Sequence, residues 1–229
     1  MLVKLLFHTP NPEPAIAAAA RLCYAKVGAA ELMETMEDKE VKRILKIIMG
    51  SGHLAALEHA SYTFAIEGVS RAMTHQLVRH RIASYNQQSQ RYVNYDDEPV
   101  FIVPPEVRKE GGEAEAAYIK HCKQSFESYR DLINKGVHKE DARYLLPNAM
   151  ETKIVVTMNM RTLLHFFSLR CCRRAQWEIR EVADLMLELA RPTAPYIFAD
   201  AGATCRRSFC PEGSMACGEP FPRVFRDEN

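Results

Sequence analysis

Two segments far apart in the sequence alternate apolar with small or polar side chains, and this pattern constrains the fold more than any other feature. In the first, "SYTFAIEG", Tyr62, Phe64 and Ile66 fall on one side. In the second, "TKIVVTMNM", Ile154 and Val156 do the same. A period of two is typical of strands with one buried face, so we expect both segments to lie in a sheet.

Helices are expected around these strands, but not in regular alternation with them. Gly52 should end one helix, because glycine tolerates the left-handed conformation, and Ser70 should cap a short helix that runs to about His80. This irregular mixture favours an α+β fold, with an antiparallel sheet packed with several helices in a single domain over residues 1–200. Residues 201–229 should form a cysteine-containing tail. Helical spacing occurs in 41–48, 70–80, 119–133, 139–146, 162–170 and 182–189.

The cysteines are seven in number and include no CxxC pair. Because the N-terminus also lacks a secretory signal and no window is long enough to span a membrane, we expect reduced thiols in a cytoplasmic protein. Cys205, Cys210 and Cys217 in the tail have the chemistry of zinc ligands. Three ligands at unusual spacing, with no histidine after Gly202, favour a flexible tail instead, and we predict no metal.

Two stretches of the chain, residues 68–95 and 152–177, contain no Asp or Glu. The formal net charge is only +1, far from the strongly basic balance of a general nucleic-acid binder. Two local positive regions in a neutral protein indicate a pocket for a small, multiply charged anion. The basic residues of these stretches are Arg71, Arg79, Arg81, Arg91, Lys153, Arg161, Arg170, Arg173 and Arg174.

The first acid-free stretch contains "RHRIASYNQQSQRY" at 79–92, which we expect to begin at a helix end and continue as a loop. Its arginines donate planar sets of N–H groups that match phosphate, and its hydroxyls and amides can bind the edge of a base or ring. A solvated arginine-rich loop is the alternative. The sequence has neither GxGxxG nor GxxxxGK[ST], so the common glycine-rich phosphate loops are not indicated.

This segment fits RHRxxSxNxxSxR at every fixed position, and in this it resembles the flavin-dependent thymidylate synthases. The resemblance continues in "GHLAALEH", "DARYLLP", "NMRTLLHFFSLR" and "AQWEIR", and covers roughly residues 30 to 190, which leaves the tail outside it. It implies reductive methylation of dUMP to dTMP, with methylenetetrahydrofolate as one-carbon donor, NADPH as reductant and FAD as hydride relay. It also implies a homotetramer with active sites shared between subunits.

The resemblance further implies which residues bind each ligand. Arg170 is expected to be catalytic, because a guanidinium against the uracil edge can stabilise developing negative charge. His53 is expected near the stack of folate and nucleotide. Arg91 and Arg143 suit the phosphate. The implied dUMP residues are Gln76, Arg79, Gln87, Gln88, Ser89, Gln90, Arg91, Arg143 and Arg170, and the implied FAD residues are Arg79, His80, Arg81, Gln87, Asn159, Arg161 and His165.

Ser89 and three departures from the family pattern need separate treatment. A serine nucleophile requires an adjacent base, which the sequence does not identify, so we favour binding over covalent attack. Ala55 stands where a flavin-contacting hydroxyl is common, Gln87 where an acid is common, and Arg174 where a histidine is common.

Two rival functions use the same residues. A single-strand nucleic-acid module would stack bases on Tyr85, Tyr92 and Tyr95, but the near-zero net charge and the lack of an RNP or OB signature count against it. The other rival is a flavoprotein that keeps FAD but does not make thymidylate.

Overall fold

The computed structural model describes residues 1–93 and 98–223, and Tyr95 and the end of the tail lie outside these ranges. Four strands form one antiparallel sheet in the order β1-β2-β4-β3. The predicted α+β class is confirmed. The strands are β1 Leu2–His8, β2 Ser61–Ser70, β3 Ala83–Gln87 and β4 Glu151–Asn159.

The helices account for most of the remaining ordered backbone. They are α1 Pro12–Leu22, α2 Ala29–Thr35, α3 Asp38–Ser51, α4 Arg71–Leu77, α5 Pro105–Glu110, α6 Gly112–Asn134, α7 Lys139–Ala142, α8 Met160–Arg170 and α9 Trp177–Ala190. Short 3-10 helices occur at Leu54–His59, Arg143–Leu145, Arg191–Thr193, Thr204–Arg206 and Gly213–Met215. Within the described residues, no helix is long and apolar enough to cross a membrane.

The chain divides into two compact units, and the first comprises residues 1–2, 66–79 and 85–155. Long helix α6 packs against α5, α7 and the 3-10 helix Arg143–Leu145. Its buried face, with Phe126 and Tyr129, joins Phe101 and Met150 in one apolar cluster. The backbone N–H groups of Arg71 and Ala72 donate to the carbonyls of Met150 and Asn148, which attaches the start of α4 to the segment before β4.

The second unit comprises residues 3–65, 80–84 and 156–229. Helix α8 packs against α9 and against the 3-10 helix Leu54–His59, while α1 packs against α3. Phe64, Phe166, Phe167 and Phe198 are fully buried. This apolar core fixes the buried face of α8 and therefore the direction of the polar side chains on the same helix. The division into a domain of residues 1–200 and a tail stays a prediction.

Local sequence signals explain where several elements begin and end. Gly52 adopts φ +74° at the end of α3, as predicted. The Ser70 hydroxyl accepts the Met73 N–H at 3.0 Å and so caps α4, also as predicted. However, α4 ends at Leu77, three residues before the predicted end. The Arg79 N–H donates to the Gln76 carbonyl at 3.3 Å, so the last turn tightens and the chain leaves the helix before His80.

The predicted loop at the signature segment is wrong over residues 83–87, which form strand β3. This strand lies at the edge of the sheet beside β4, and just after it the Gln88 N–H donates to the Lys153 carbonyl at 2.9 Å. An edge strand made of "ASYNQ" has no apolar alternation, so the usual strand signal is missing. Strand β1 and helices α1, α2 and α5 were not predicted either.

Candidate functional site

Arg170 and His80, one from each acid-free stretch, are hydrogen-bonded within the second unit. Arg170 is the last residue of α8, and its Nε–H donates to His80 Nε2 at 3.1 Å. Since Nε2 accepts this bond, the ring carries its proton on Nδ1. The His80 ring packs edge-on against Phe166, with centroids 5.0 Å apart, and also faces the His165 ring.

The electrostatics of this pair favour a neutral imidazole. Burial lowers the pKa of His80 from its ordinary value of 6.5, and the nearby Arg170 and His165 act in the same direction, so that the pKa lies at about 4. Burial also lowers the pKa of Arg170, although a guanidinium remains charged at neutral pH. The result is a fixed cation supported by a neutral acceptor.

Three other predicted flavin residues of this unit lie at the beginning of α8 and along its exposed face. Asn159 caps the helix, since its Oδ1 accepts the Thr162 N–H at 2.8 Å. Arg161 is exposed and forms a 2.6 Å ion pair with Glu58 of the 3-10 helix Leu54–His59. His165 is exposed one turn further along α8. The same helix therefore carries three predicted FAD residues and, at its end, the predicted catalytic arginine.

His53 and Arg81 are both exposed in the second unit. The His53 N–H donates to the Ile48 carbonyl at 3.0 Å, directly after the left-handed Gly52. Ala55, one of the three departures, is exposed on the following 3-10 helix.

In the first unit, Gln87 is held at the end of β3 by two buried threonines. Its Nε2 donates to Thr74 Oγ1 at 2.9 Å and to Thr152 Oγ1 at 3.3 Å. Next to it, Arg71 donates to the Gln88 carbonyl at 3.2 Å. The glutamine at a position where an acid is common thus has a role in anchoring the signature segment.

Arg91 and Arg143, the two predicted phosphate residues, both bond to Glu140. Arg91 Nη2 lies 3.1 Å from the Glu140 carboxylate, and Arg143 Nε donates to the Glu140 carbonyl at 3.0 Å. The carboxylate and the Arg91 side chain are each about two-fifths exposed, so this ion pair is worth about 0–1 kcal/mol. A doubly charged phosphate can displace it at small cost.

The Ser89 side chain forms a hydrogen bond within its own loop. Its Oγ accepts the Arg91 N–H at 3.1 Å, a local turn that orients the backbone before Arg91. The hydroxyl proton remains available for a ligand. Gln76, Gln88 and Gln90 are half-buried, and Arg79 is exposed beyond the end of α4.

A cavity of about 280 Å³ lies beside Arg170 in the second unit. One side is lined by Ser168, Arg170 and Cys172, and the other by residues 203–205 and 210–212 of the tail. Arg174, the third departure, pairs here with Glu212. In the part of the chain that the structure describes, no group of three or more His, Cys, Asp or Glu side chains is placed to hold a metal ion.

Sequence reasoning missed the acids and threonines that position the basic residues. Glu58 and Glu140 both fall in segments that carry the family resemblance, "GHLAALEH" and the residue before "DARYLLP", and this proximity was the available signal. Thr74 and Thr152 gave no such signal, because a buried threonine looks like an ordinary core position.

Comparison with known proteins gives a consistent result. Residues 4–196 match the family described as thymidylate synthase complementing protein. A flavin-dependent thymidylate synthase from Geobacter sulfurreducens is 52% identical over 229 residues, covering 99% of both chains. Those from Clostridium tetani and Pyrococcus furiosus are each 47% identical, covering 95% and 93% of this chain and 93% and 90% of their own. Similarity therefore extends beyond residues 30–190 into the tail, which corrects the narrower range inferred from the motifs.

Proposed function

Because this chain belongs to the flavin-dependent thymidylate synthase family, we propose that it converts dUMP to dTMP by reductive methylation. Methylenetetrahydrofolate provides the one-carbon unit and NADPH the electrons, so the products are dTMP, tetrahydrofolate and NADP⁺. The hydrogen bond between Arg170 and His80 is the observation that carries this proposal, because it joins the signature segment to the second acid-free stretch.

The donors on α8 and around His80 suit FAD. Arg79, Arg81 and Arg161 offer charge for its phosphates, while the side chains of His80, His165 and Asn159 offer ring and amide contacts. The exposure of Arg161 supports this assignment, since it gives up only a surface ion pair with Glu58 when it turns to an anion. Bound FAD supplies hydride transfer between NADPH and the substrate.

The first unit supplies most of the proposed dUMP contacts. Arg91 and Arg143 bind the phosphate, for which charge-assisted bonds from two guanidinium groups are well suited. Gln76, Arg79 and residues 87–90 surround the nucleoside. Ser89 donates a hydrogen bond from its hydroxyl to the nucleotide. It does not act as a nucleophile, because its hydroxyl is hydrogen-bonded to the Arg91 N–H and not to a base that could remove its proton.

Arg170 is the proposed catalytic residue. His80 accepts its Nε–H and remains neutral, so the Nη groups are the donors that Arg170 directs at the uracil edge. There they stabilise the negative charge that develops on the ring when it is activated. His53 packs against the folate and nucleotide. We propose a homotetramer with shared sites, acting in the cytoplasm.

The test is a reconstitution with purified protein. The protein should carry or take up FAD with a flavin absorption spectrum, and NADPH should reduce that flavin under anaerobic conditions. Addition of dUMP and methylenetetrahydrofolate should then reoxidise the flavin and yield one dTMP per flavin turned over. A protein that binds no flavin, or whose reduced flavin does not respond to dUMP and the folate, would refute the proposal.

A further inference from the structure

The described part of the tail is fastened to the segment that follows α8 by several independent contacts. Arg173 forms a 2.8 Å ion pair with Glu219 and lies 4.8 Å from the centre of the Phe221 ring. Arg174 pairs with Glu212. These contacts set the tail cysteines against one short piece of the chain, next to Cys172.

Four of the seven cysteines line a single cavity of about 120 Å³ in this region. One of them, Cys172, follows α8, and the other three, Cys205, Cys210 and Cys217, belong to the tail. Cys205 Sγ accepts the Phe221 N–H at 3.4 Å, and Cys210 and Cys217 are exposed. Cys23, one of the other three cysteines, is exposed. It directly follows α1 and is distant in sequence from the four cysteines of the cavity.

The arrangement favours chemistry between pairs of thiols over a metal centre. Within residues 1–93 and 98–223, no set of three or more potential ligands is arranged around a common point, as zinc would require. A disulfide needs only two sulfurs. In proteins from reducing compartments, such disulfides are usually transient and serve redox sensing or catalysis.

We propose that Cys172, Cys205, Cys210 and Cys217 form a reversible thiol–disulfide site that takes oxidising equivalents from small-molecule disulfides. Cys172, Cys205 and Cys210 also line the cavity beside Arg170, so the oxidised site fixes one wall of that cavity. This site is separate from the thymidylate reaction, which uses none of these sulfurs.

The exchange proceeds in two balanced steps. One cysteine, as thiolate, attacks the small disulfide, forms a mixed disulfide and expels one small thiolate. A second cysteine of the cluster then attacks the protein sulfur of the mixed disulfide and expels the other small thiolate. The two cysteines lose two electrons and two protons, and the small disulfide becomes two thiols. The second step is favoured by an effective thiol concentration on the order of millimolar, as expected for groups held on short linkers.

The experiment uses the full-length protein, reduced with dithiothreitol, desalted, and then incubated with oxidised glutathione. Free thiols are trapped with N-ethylmaleimide, and intact mass and peptide mapping locate each sulfur. We expect the intact mass to fall by two hydrogens for each disulfide formed. The cross-linked peptides should contain Cys172, Cys205, Cys210 or Cys217, and dithiothreitol should reverse the change completely. Cys23, an exposed thiol outside the cavity, should instead carry a glutathione adduct.

Matched variants sharpen the result. Cys23→Ser should form the internal disulfide as the wild type does, whereas the variant in which Cys172, Cys205, Cys210 and Cys217 are all changed to serine should form none. Glutathione adducts on the cluster without any internal disulfide in the wild-type protein would overturn the proposal. So would a stoichiometric metal, found by elemental analysis, that protects all four thiols from maleimide.

Discussion

His80 shows how one buried side chain couples the site to pH. Its pKa falls from 6.5 to about 4 on folding because burial and the charge of Arg170 disfavour the imidazolium. Below pH 6.5, His80 therefore binds a proton in the unfolded chain but stays neutral in the folded chain, so the free energy of unfolding falls as the pH drops. The loss is complete near pH 4 and amounts to about 3 kcal/mol.

We expect His80→Asn, which keeps an acceptor for Arg170, to remove this part of the pH dependence. Urea unfolding of the wild type and the variant between pH 7 and 4 gives the difference, and the carboxylates that titrate in both proteins cancel. Exposed Ala114 provides the control, since Ala114→Ser changes no titratable group and should follow the wild-type curve. If the free energy of unfolding of His80→Asn fell with decreasing pH as steeply as that of the wild type, the assigned pKa shift of His80 would be contradicted.

Arg91 and Arg143 should contribute to dUMP binding individually. Replacing either by alanine removes a charge-assisted hydrogen bond of roughly 1.5–3 kcal/mol, which is about 10- to 150-fold in affinity. Flavin binding should be unaffected. Isothermal titration with dUMP measures the effect, and Arg108→Ala on exposed α5 is the matched control. Binding within twofold of wild type in both variants would show that the phosphate lies elsewhere.

Asn159 at the start of α8 has two roles, one in stabilising the helix and one in the proposed binding of FAD, and these can be measured separately. Its side chain caps the helix and is also a proposed FAD contact. Asn159→Asp retains a good cap, whereas Asn159→Ala loses about 1 kcal/mol of stability. Both should bind FAD more weakly, because neither has the amide. Thermal unfolding and flavin titration measure the two effects separately, and unchanged FAD affinity in Asn159→Asp would restrict Asn159 to capping.

The elements that could be predicted are those with a local signal. Strand β2 alternates, α3 ends at Gly52, and α4 begins at the Ser70 cap. Strand β3 could not be predicted, because its pairing with β4 is a long-range contact and its residues are polar. The two acid-free stretches are not free of carboxylate partners in space for the same reason. Glu58 and Glu140 approach Arg161 and Arg91 from distant parts of the chain. Sequence distance says little about which charges meet in space.

For the whole molecule, the proposed shared sites predict that assembly and cofactor binding depend on each other. Sedimentation velocity should show four subunits in the presence of FAD. Dilution below the assembly threshold should release flavin, measured as an increase in flavin fluorescence in solution and as a loss of flavin absorbance from the sedimenting protein boundary. A monomer that binds FAD with full affinity would contradict the sharing of sites between subunits.

The central claim is that Arg170, held by His80, acts on the bound uracil ring, and stopped-flow oxidation of the reduced flavin tests it most directly. In Arg170→Ala, NADPH should still reduce FAD, but the dUMP- and methylenetetrahydrofolate-dependent oxidation should slow by about 100- to 1000-fold, as when one donor to a developing anion is removed. Arg130→Ala, an exposed arginine on α6, should behave as the wild type. If Arg170→Ala oxidised its flavin at a nearly normal rate with dUMP at saturation, the role assigned to Arg170 would be wrong.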